Sequence, residues 1–426
     1  MPEADNAAAQ KNRVVIVGAG FGGIEVARGL GAAGIAVTLI DRQNYQLFQP
    51  LLYQVATAAL SPADIAEPIR KMLRRLPNLD IRLDEAVAVD TVGRAVTCKS
   101  GERLAYDWLV LATGATHSYF GHEEWSAFAP GLKTIEDARK IRSRLLLAFE
   151  KAEMSRDPAE QKRLMTIAVI GGGPTGVELA GSIAELARYA LARDFHRIHS
   201  EETAVLLLEA GPRILAAFPE ELAAYAMRKL SRLGVKVRTQ TSVQAIGPHS
   251  VTAAGEDIPV GLAIWAAGVT ASPIGALLGV PVDRAGRVRV NADLSVPGFT
   301  NVYVLGDLAL APDEKGKPLP GLAQVAKQEG QYLGRALAKK IRSGARAVPF
   351  RFHNRGNTAI IGRHAAVFDF GWWRLKGWFA WSFWALIHVY LLVGFQHRLL
   401  VAIQWLWRYL TYERGSRLIV EERTDA

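Results

Sequence analysis

The stretch that decides the fold is Val169–Gly181, VIGGGPTGVELAG. It places Gly171, Gly173 and Gly176 at GxGxxG spacing behind the apolar run Ile167–Ile170, with Pro174 bracing the turn. A strand, a tight turn and a helix wrapped on a dinucleotide pyrophosphate have this pattern. The first glycine permits the turn, the second lets the backbone approach the phosphates, and the third lets helix lie close on strand. AVLLLEAG then supplies a second strand ending in Glu209, placed to accept the ribose hydroxyls of NADH. Ala210 and Gly211 follow it, so no arginine directly behind the acid favours a 2′-phosphate, and NAD is expected over NADP.

The same design stands earlier, in VVIVGAGFGG at Val14–Gly23. Gly18, Gly20 and Gly23 repeat the spacing, and AVTLID ends at Asp41, 21 residues after Gly20, where an acid can bind a ribose hydroxyl. A lone glycine motif is weak, but strand, glycines, helix, strand and terminal acid together form a strong signature. Two such sites imply two nucleotides, naturally a resident flavin and a visiting nicotinamide that exchange hydride. DWLVLATGA (Asp107–Ala115) reads as a strand and turn closing the first nucleotide domain, and AIWAAGV (Ala263–Val269) closes the second. NVYVLGDLAL (Asn301–Leu310) returns as a strand whose Gly306-Asp307 end suits the ribityl hydroxyls of FAD. The expected architecture is α/β: two Rossmann-like dinucleotide-binding domains, the NAD domain inserted in the FAD domain, plus a C-terminal amphipathic helical membrane-anchoring region. The expected boundaries are 10–120 and 289–350 for the FAD domain, 121–288 for the NADH domain and 351–426 for the anchor.

Composition narrows the partners. The chain has 426 residues, too many for one core, and a formal charge of +10. A basic balance suits nucleic acid or an anionic membrane, and no nucleic-acid module is legible. Cys98 is the only cysteine, in an expected strand, so neither a disulfide nor a dithiol redox couple is available. No metal-ligating cluster stands out; His196 and His199 read as a surface pair. The polar start MPEADNAAAQKNR lacks a signal-peptide core, so a cytoplasmic protein is expected.

The tail changes character. Gly371–Tyr412 holds seven of the ten tryptophans, and Trp378–Phe395 runs 18 residues without a formal charge. A second helix sets Leu399, Leu400, Ile403, Leu406, Trp407 and Leu410 on one face, with Arg398, Gln404 and Arg408 away from it. Arg374, Lys376, Arg398, Arg408, Arg414 and Arg417 flank both, against Glu413 alone. A buried helix pair, a membrane span and an interfacial anchor all compete. The Trp-rich, cation-flanked pattern fits best an anchor on an anionic lipid surface.

Two further signals stay open from the residues alone. Glu178, just inside the helix behind the second glycine turn, serves either the helix dipole or a nicotinamide site. Gln324 and Gln328 lie four apart on one helix face, either as surface residues or as amides beside the flavin.

With these residues in place, the chain resembles the two-dinucleotide-binding-domain flavoproteins, and within them the type II NADH:quinone oxidoreductases, the single-subunit, non-pumping dehydrogenases. The resemblance spans about Arg13 to Val420. It is carried by DRQNYQLFQPLLYQVAT (Asp41–Thr57), GGGPTGVELAG (Gly171–Gly181), AQVAKQEGQYLG (Ala323–Gly334) and YLTYERGSRLI (Tyr409–Ile419). It implies FAD at Gly18, Gly20, Phe21, Gly22, Gly23, Asp41, Arg42, Gln49, Thr113, Gly114, Asp307 and Ala323. NADH falls at Gly171, Gly173, Pro174, Thr175, Gly176, Glu209, Ala267 and Gly268. A membrane quinone, ubiquinone or menaquinone, falls at Tyr53, Gln324, Gln328 and Lys376, with Glu178, Gln324 and Gln328 catalytic. It also implies respiratory NADH oxidation without proton pumping, a homodimer, and monotopic attachment at the cytoplasmic face of the inner membrane. The absence of a flavin-side cysteine disfavours disulfide and sulfide chemistries on the same fold. Two rival functions are a soluble NADH-dependent reductase of a small redox protein and an NADH-binding redox sensor.

Overall fold

The computed structural model describes residues 12–391, 395–411 and 414–419; side chains at 395–397 and 408–410 lie outside that description. The amino-terminal segment read for a signal peptide, Glu413, and the side chains of Arg408 and Leu410 therefore fall outside the described residues. The chain divides into two compact units. One holds residues 12–46, Glu67–Thr116 and Val269–Asn354; the other holds Leu47–Ala66, His117–Gly268 and residues 355–419.

The first unit is built on five parallel strands in the order Leu79–Leu83, Val37–Asp41, Val14–Val17, Trp108–Leu111, Val302–Val304. In chain order that is 3-2-1-4-5, and the switch point falls between the first and fourth strands, beyond their carboxyl ends. The apolar residues of the inner strands are buried on both faces, as a covered parallel sheet requires, whereas the edge strand Leu79–Leu83 is half-buried to exposed. The helices Phe21–Ala32 and Ala323–Ser343 lie together on this sheet through glycines. A Cβ at Gly330 would stand 2.3 Å from the Gly22 carbonyl oxygen, and one at Gly29 would stand 2.9 Å from Gly334. Only hydrogen fits between these backbones.

The second unit repeats the plan with four parallel strands: Val235–Arg238, Ala204–Leu208, Thr166–Ile170, Leu262–Trp265. Its helix Pro174–Glu185 packs on an antiparallel sheet formed by Asn357–Gly362, Ala365–Asp369 and Arg374–Gly377. A Cβ at Gly181 would meet the Ile361 carbonyl oxygen at 1.8 Å, so glycine alone permits that contact. Cys98 is a buried strand residue, as expected.

The tail forms two helices, Trp378–Leu391 and Phe395–Thr411. The described helix Trp378–Leu391 has 14 residues and covers about 21 Å, against the roughly 30 Å of a bilayer core. Among the described residues no helix is long and apolar enough to cross a membrane.

Candidate functional site

The two glycine turns share one construction. Gly18 and Gly171 have φ of +100° and +109°, and each backbone N–H donates to the strand beside it, Ile40 O and Leu208 O, at 2.8 Å. A Cβ at Gly23 or Gly176 would stand 1.8 Å from the carbonyl oxygen of Gly18 or Gly171, so neither helix could sit on its strand with any larger residue. Gly20 and Gly173 differ: a Cβ would meet nothing closer than 4.0 Å at the first and nothing within 4 Å at the second. Both are N-caps without a side-chain cap, and both helices lack an acid in the first turn. By contrast, Ile135–Met154 is capped by Thr134 and Asp137 in a capping box. Uncapped first-turn N–H groups behind a bare glycine suit a pyrophosphate.

Asp41 and Glu209 match each other atom for atom. Asp41 accepts from Ala19 N at 2.6 Å and Gln43 N at 2.7 Å; Glu209 accepts from Gly172 N and Gly211 N, each at 2.6 Å. Each acid therefore ties the glycine turn to the end of the second strand, a task the sequence did not reveal. Burial pushes the Asp41 carboxyl up from its ordinary value, against the pull of those amides. Arg42 is exposed and lies 4.0 Å from Glu85. Phe21 opens the first helix and Gly22 touches Leu305 and Ala326. Thr113 Oγ1 is buried and finds no hydrogen-bond partner among the described residues, beside Gly114 in an open left-handed turn (φ +67°). A flavin fits this cradle: the orphaned hydroxyl, the bare Gly20 and the uncapped helix all want an acceptor-rich ligand.

Asp307 sits in the turn Gly306–Leu308, near Gly321. Glu329, unforeseen, holds that turn by accepting from Gly306 N at 2.6 Å. It is 1% exposed, and burial, with Asp307 nearby, pushes its carboxyl up to about 8. The sequence did carry a signal: Val325, Glu329, Leu333 and Leu337 form one stripe at spacing four, an acid within an apolar face. Ala323 begins that helix, with Gln324 in its first turn. Gln328 is committed at both ends, its Nε2 donating to His353 O and its Oε1 accepting from His353 N, each at 3.0 Å.

In the second unit, Pro174 and Thr175 are exposed at the start of the helix, and Ala267 and Gly268 follow the fourth strand. Gly268 (φ +75°) lies against the Phe120 ring. Gln49 donates to Lys133 O at 3.0 Å.

The same unit holds a half-open cavity, about 770 Å³ with the solvent space at its mouth. Tyr53, Gln54, Glu178, Ser182, Glu185, Ile360–Arg363, Trp381, Trp384, Trp405 and Arg414 line it. Glu178 accepts from Ile360 N at 3.3 Å, and burial pushes its carboxyl up to about 8. Arg414, 5% exposed, donates to Thr57 O at 2.6 Å and Ser182 O at 3.0 Å and lies 3.8 Å from Glu185. Trp384 is 2% exposed and stacks on Trp405 at 5.1 Å and on His388 at 4.3 Å.

Two expectations about the tail, on its tryptophans and its flanking cations, need correction. Trp381, Trp384 and Trp405 line the cavity, whereas Trp372, Trp373, Trp378 and Trp407 are exposed. Lys376 is exposed on the edge strand and does not line the cavity. Of the flanking cations, Arg414 is buried and Arg417 pairs with Asp194, because each satisfies protein carbonyls and carboxylates rather than facing out. The apolar face of the last helix does stand outward: Leu399, Leu400, Ile403, Leu406 and Trp407 are 44–61% exposed. Its inner face holds Val401, Gln404 and Trp405, with Gln404 donating to Asp64 at 3.4 Å.

Two dinucleotide cradles of one design define a class, the pyridine nucleotide-disulphide oxidoreductases, whose family description matches residues 12–330. A second description, the NDH2 C-terminal domain, matches residues 354–412. The chain is 41% identical to the type II NADH:quinone oxidoreductase NdhA of Mycobacterium tuberculosis, covering 97% of this chain and 90% of that one. It is 37% identical to Ndh of the same organism, covering 98% and 92%. The chain belongs to the type II NADH:quinone oxidoreductases. Its fold is that of an NDH2 from Plasmodium falciparum solved in complex with NADH (TM-score 0.89, 23% identity, covering 97% and 100%).

Proposed function

We propose that this chain oxidises NADH and delivers two electrons through bound FAD to a membrane quinone, without pumping protons. The observation that carries it is the pairing of two matched glycine cradles with an aromatic cavity that contains a proton-holding carboxyl. FAD, when bound, would supply the two-electron redox chemistry that links NADH oxidation to quinone reduction. The remaining work belongs to the chain. Gly18–Gly23, Asp41, Thr113 and Asp307 hold the flavin's pyrophosphate, ribose and ribityl groups, and Glu329 keeps the Gly306-Asp307 turn in place. Gly171–Gly176 and Glu209 hold NADH. Trp381 and Trp384 exclude water around the quinone ring, while Gln324 stands at the start of the flavin-side helix. The exposed Lys376 is assigned no ring contact.

Quinone reduction consumes two protons, and Glu178 keeps one at the cavity wall at neutral pH. Its carboxyl is raised to about 8, so it is protonated below that pH and loses the proton above it. Quinone turnover is expected to fall as pH rises through about 8. Glu178→Gln should flatten that limb and lower turnover about tenfold, below the usual range for a lost general acid because solvent also supplies protons. Folding takes up a proton at this site between about 4.5 and 8, so stability falls as pH rises through that window, and the variant removes that slope. The assay is NADH oxidation by the purified, flavin-loaded protein with a short-chain quinone. No turnover with quinone, alongside fast flavin bleaching by NADH, would refute the reading and favour a small redox protein as acceptor.

We further propose that the chain works as a homodimer on the cytoplasmic face of the inner membrane. The outward apolar face of Phe395–Thr411 supports the lipid part of this reading. Ile403→Ser should weaken binding to anionic vesicles about tenfold in a flotation assay, since half a buried isoleucine is lost. Unchanged flotation would count against the anchor. Deleting the tail is no clean test, because its residues also wall the cavity.

A further inference from the structure

The cavity contains a hydrogen-bonded line that starts on the tail helix. Trp405 Nε1 donates to Gln54 Oε1 at 3.1 Å, and Gln54 Nε2 donates to the Tyr53 hydroxyl oxygen at 3.0 Å. All three side chains line the cavity. Gln54 and Tyr53 are 4% and 5% exposed, so little water reaches the contact between them.

An indole N–H can only donate, whereas an amide presents an acceptor at one end and donors at the other. Trp405 therefore dictates which way the Gln54 amide points. A flipped amide would set NH₂ against N–H, leaving buried donors facing each other, a costly arrangement. With the amide so fixed, the Tyr53 oxygen is an acceptor towards Gln54, and its hydrogen points away from Gln54. Accepting one bond also strengthens a hydroxyl as a donor. The ring stack of Trp405 on Trp384 holds the indole in plane for this contact.

We infer that Trp405 is a positioning residue for quinone: acting through Gln54, it orients the Tyr53 hydroxyl that meets an oxygen of the bound quinone. The inference rests on the quinone-reductase reading given above. It ties the site to the tail in a specific way. The helix whose outer face carries Leu399, Ile403 and Leu406 is the one whose inner face carries Trp405, with Gln404 holding Asp64 beside it. Seating that helix sets the polar edge of the cavity.

The test is steady-state kinetics with a short-chain quinone, run beside ferricyanide, an acceptor that needs no oriented hydroxyl. Trp405→Phe keeps an aromatic ring against Trp384 but removes the donor. The quinone KM is expected to rise about fivefold to tenfold, the worth of one neutral hydrogen bond. NADH–ferricyanide turnover, the rate of flavin bleaching by NADH and the melting temperature should stay within twofold or within a few degrees of the parent. Gln54→Leu should raise the quinone KM as much, and the Trp405→Phe/Gln54→Leu pair should add nothing further, since both break one line. Trp384→Phe, which alters the stack and leaves the donor, should shift KM less. If Trp405→Phe leaves the quinone KM unchanged, or if the two changes add fully, the inference is overturned. If the parent protein bleaches with NADH and reduces ferricyanide but no quinone, the functional reading fails first and takes the inference with it.

Discussion

A Gly23→Ala protein is expected to purify colourless. The added methyl would stand 1.8 Å from Gly18 O, 3.0 Å from Gly18 C and 3.3 Å from the Ala112 side chain. The obstacle is backbone, so no rotamer change relieves it, and the helix Phe21–Ala32 must lift from its strand. Its first-turn N–H groups then leave the pyrophosphate they serve. Overpacking of this kind costs roughly 3 kcal/mol, a loss of flavin affinity of about a hundredfold. Gly20→Ala separates the two reasons for glycine. Its Cβ meets nothing closer than 4.0 Å, so the scaffold should keep its melting temperature while the methyl occupies ligand space. Flavin absorbance per polypeptide and thermal melts measure both. A Gly23→Ala protein with a full yellow complement would show that the turn tolerates a side chain.

Glu209→Arg should lower kcat/KM for NADH about a hundredfold and raise NADPH use far less. Specificity reasoning from sequence sees only the ribose hydroxyls. The carboxylate also receives Gly172 N and Gly211 N at 2.6 Å, so the arginine removes two charge-assisted bonds that shape the loop. At about 1.5 kcal/mol each, their loss alone reaches two orders of magnitude. Glu209→Gln retains one acceptor oxygen and should lose about tenfold. If the arginine variant keeps NADH kinetics intact, the loop does not depend on this acid and the second cradle is misassigned.

The two cradles were legible because every part of each is local. A β-branched run, three glycines and a strand-terminal acid lie close in sequence, and steric rules tie each to one conformation. Asp41 and Glu209 could be found by position, yet their grip on the turn could not, since a strand end does not reveal which amides will face it. Glu329 was visible in principle as an acid within an apolar stripe. Gln54, Ser182, Glu185, Trp405 and Arg414 carried no such local mark.

Sequence by itself determined the doubled nucleotide plan and the presence of an apolar helical tail. Tertiary structure alone decided which way that tail faces. Helical periodicity marks an apolar side without saying what covers it, and tryptophans with identical chemistry point inward at 384 and 405 and outward at 372 and 407. The cavity likewise draws its walls from segments more than 300 residues apart, such as Gln54 and Trp405, and such contacts exist only once long loops have closed.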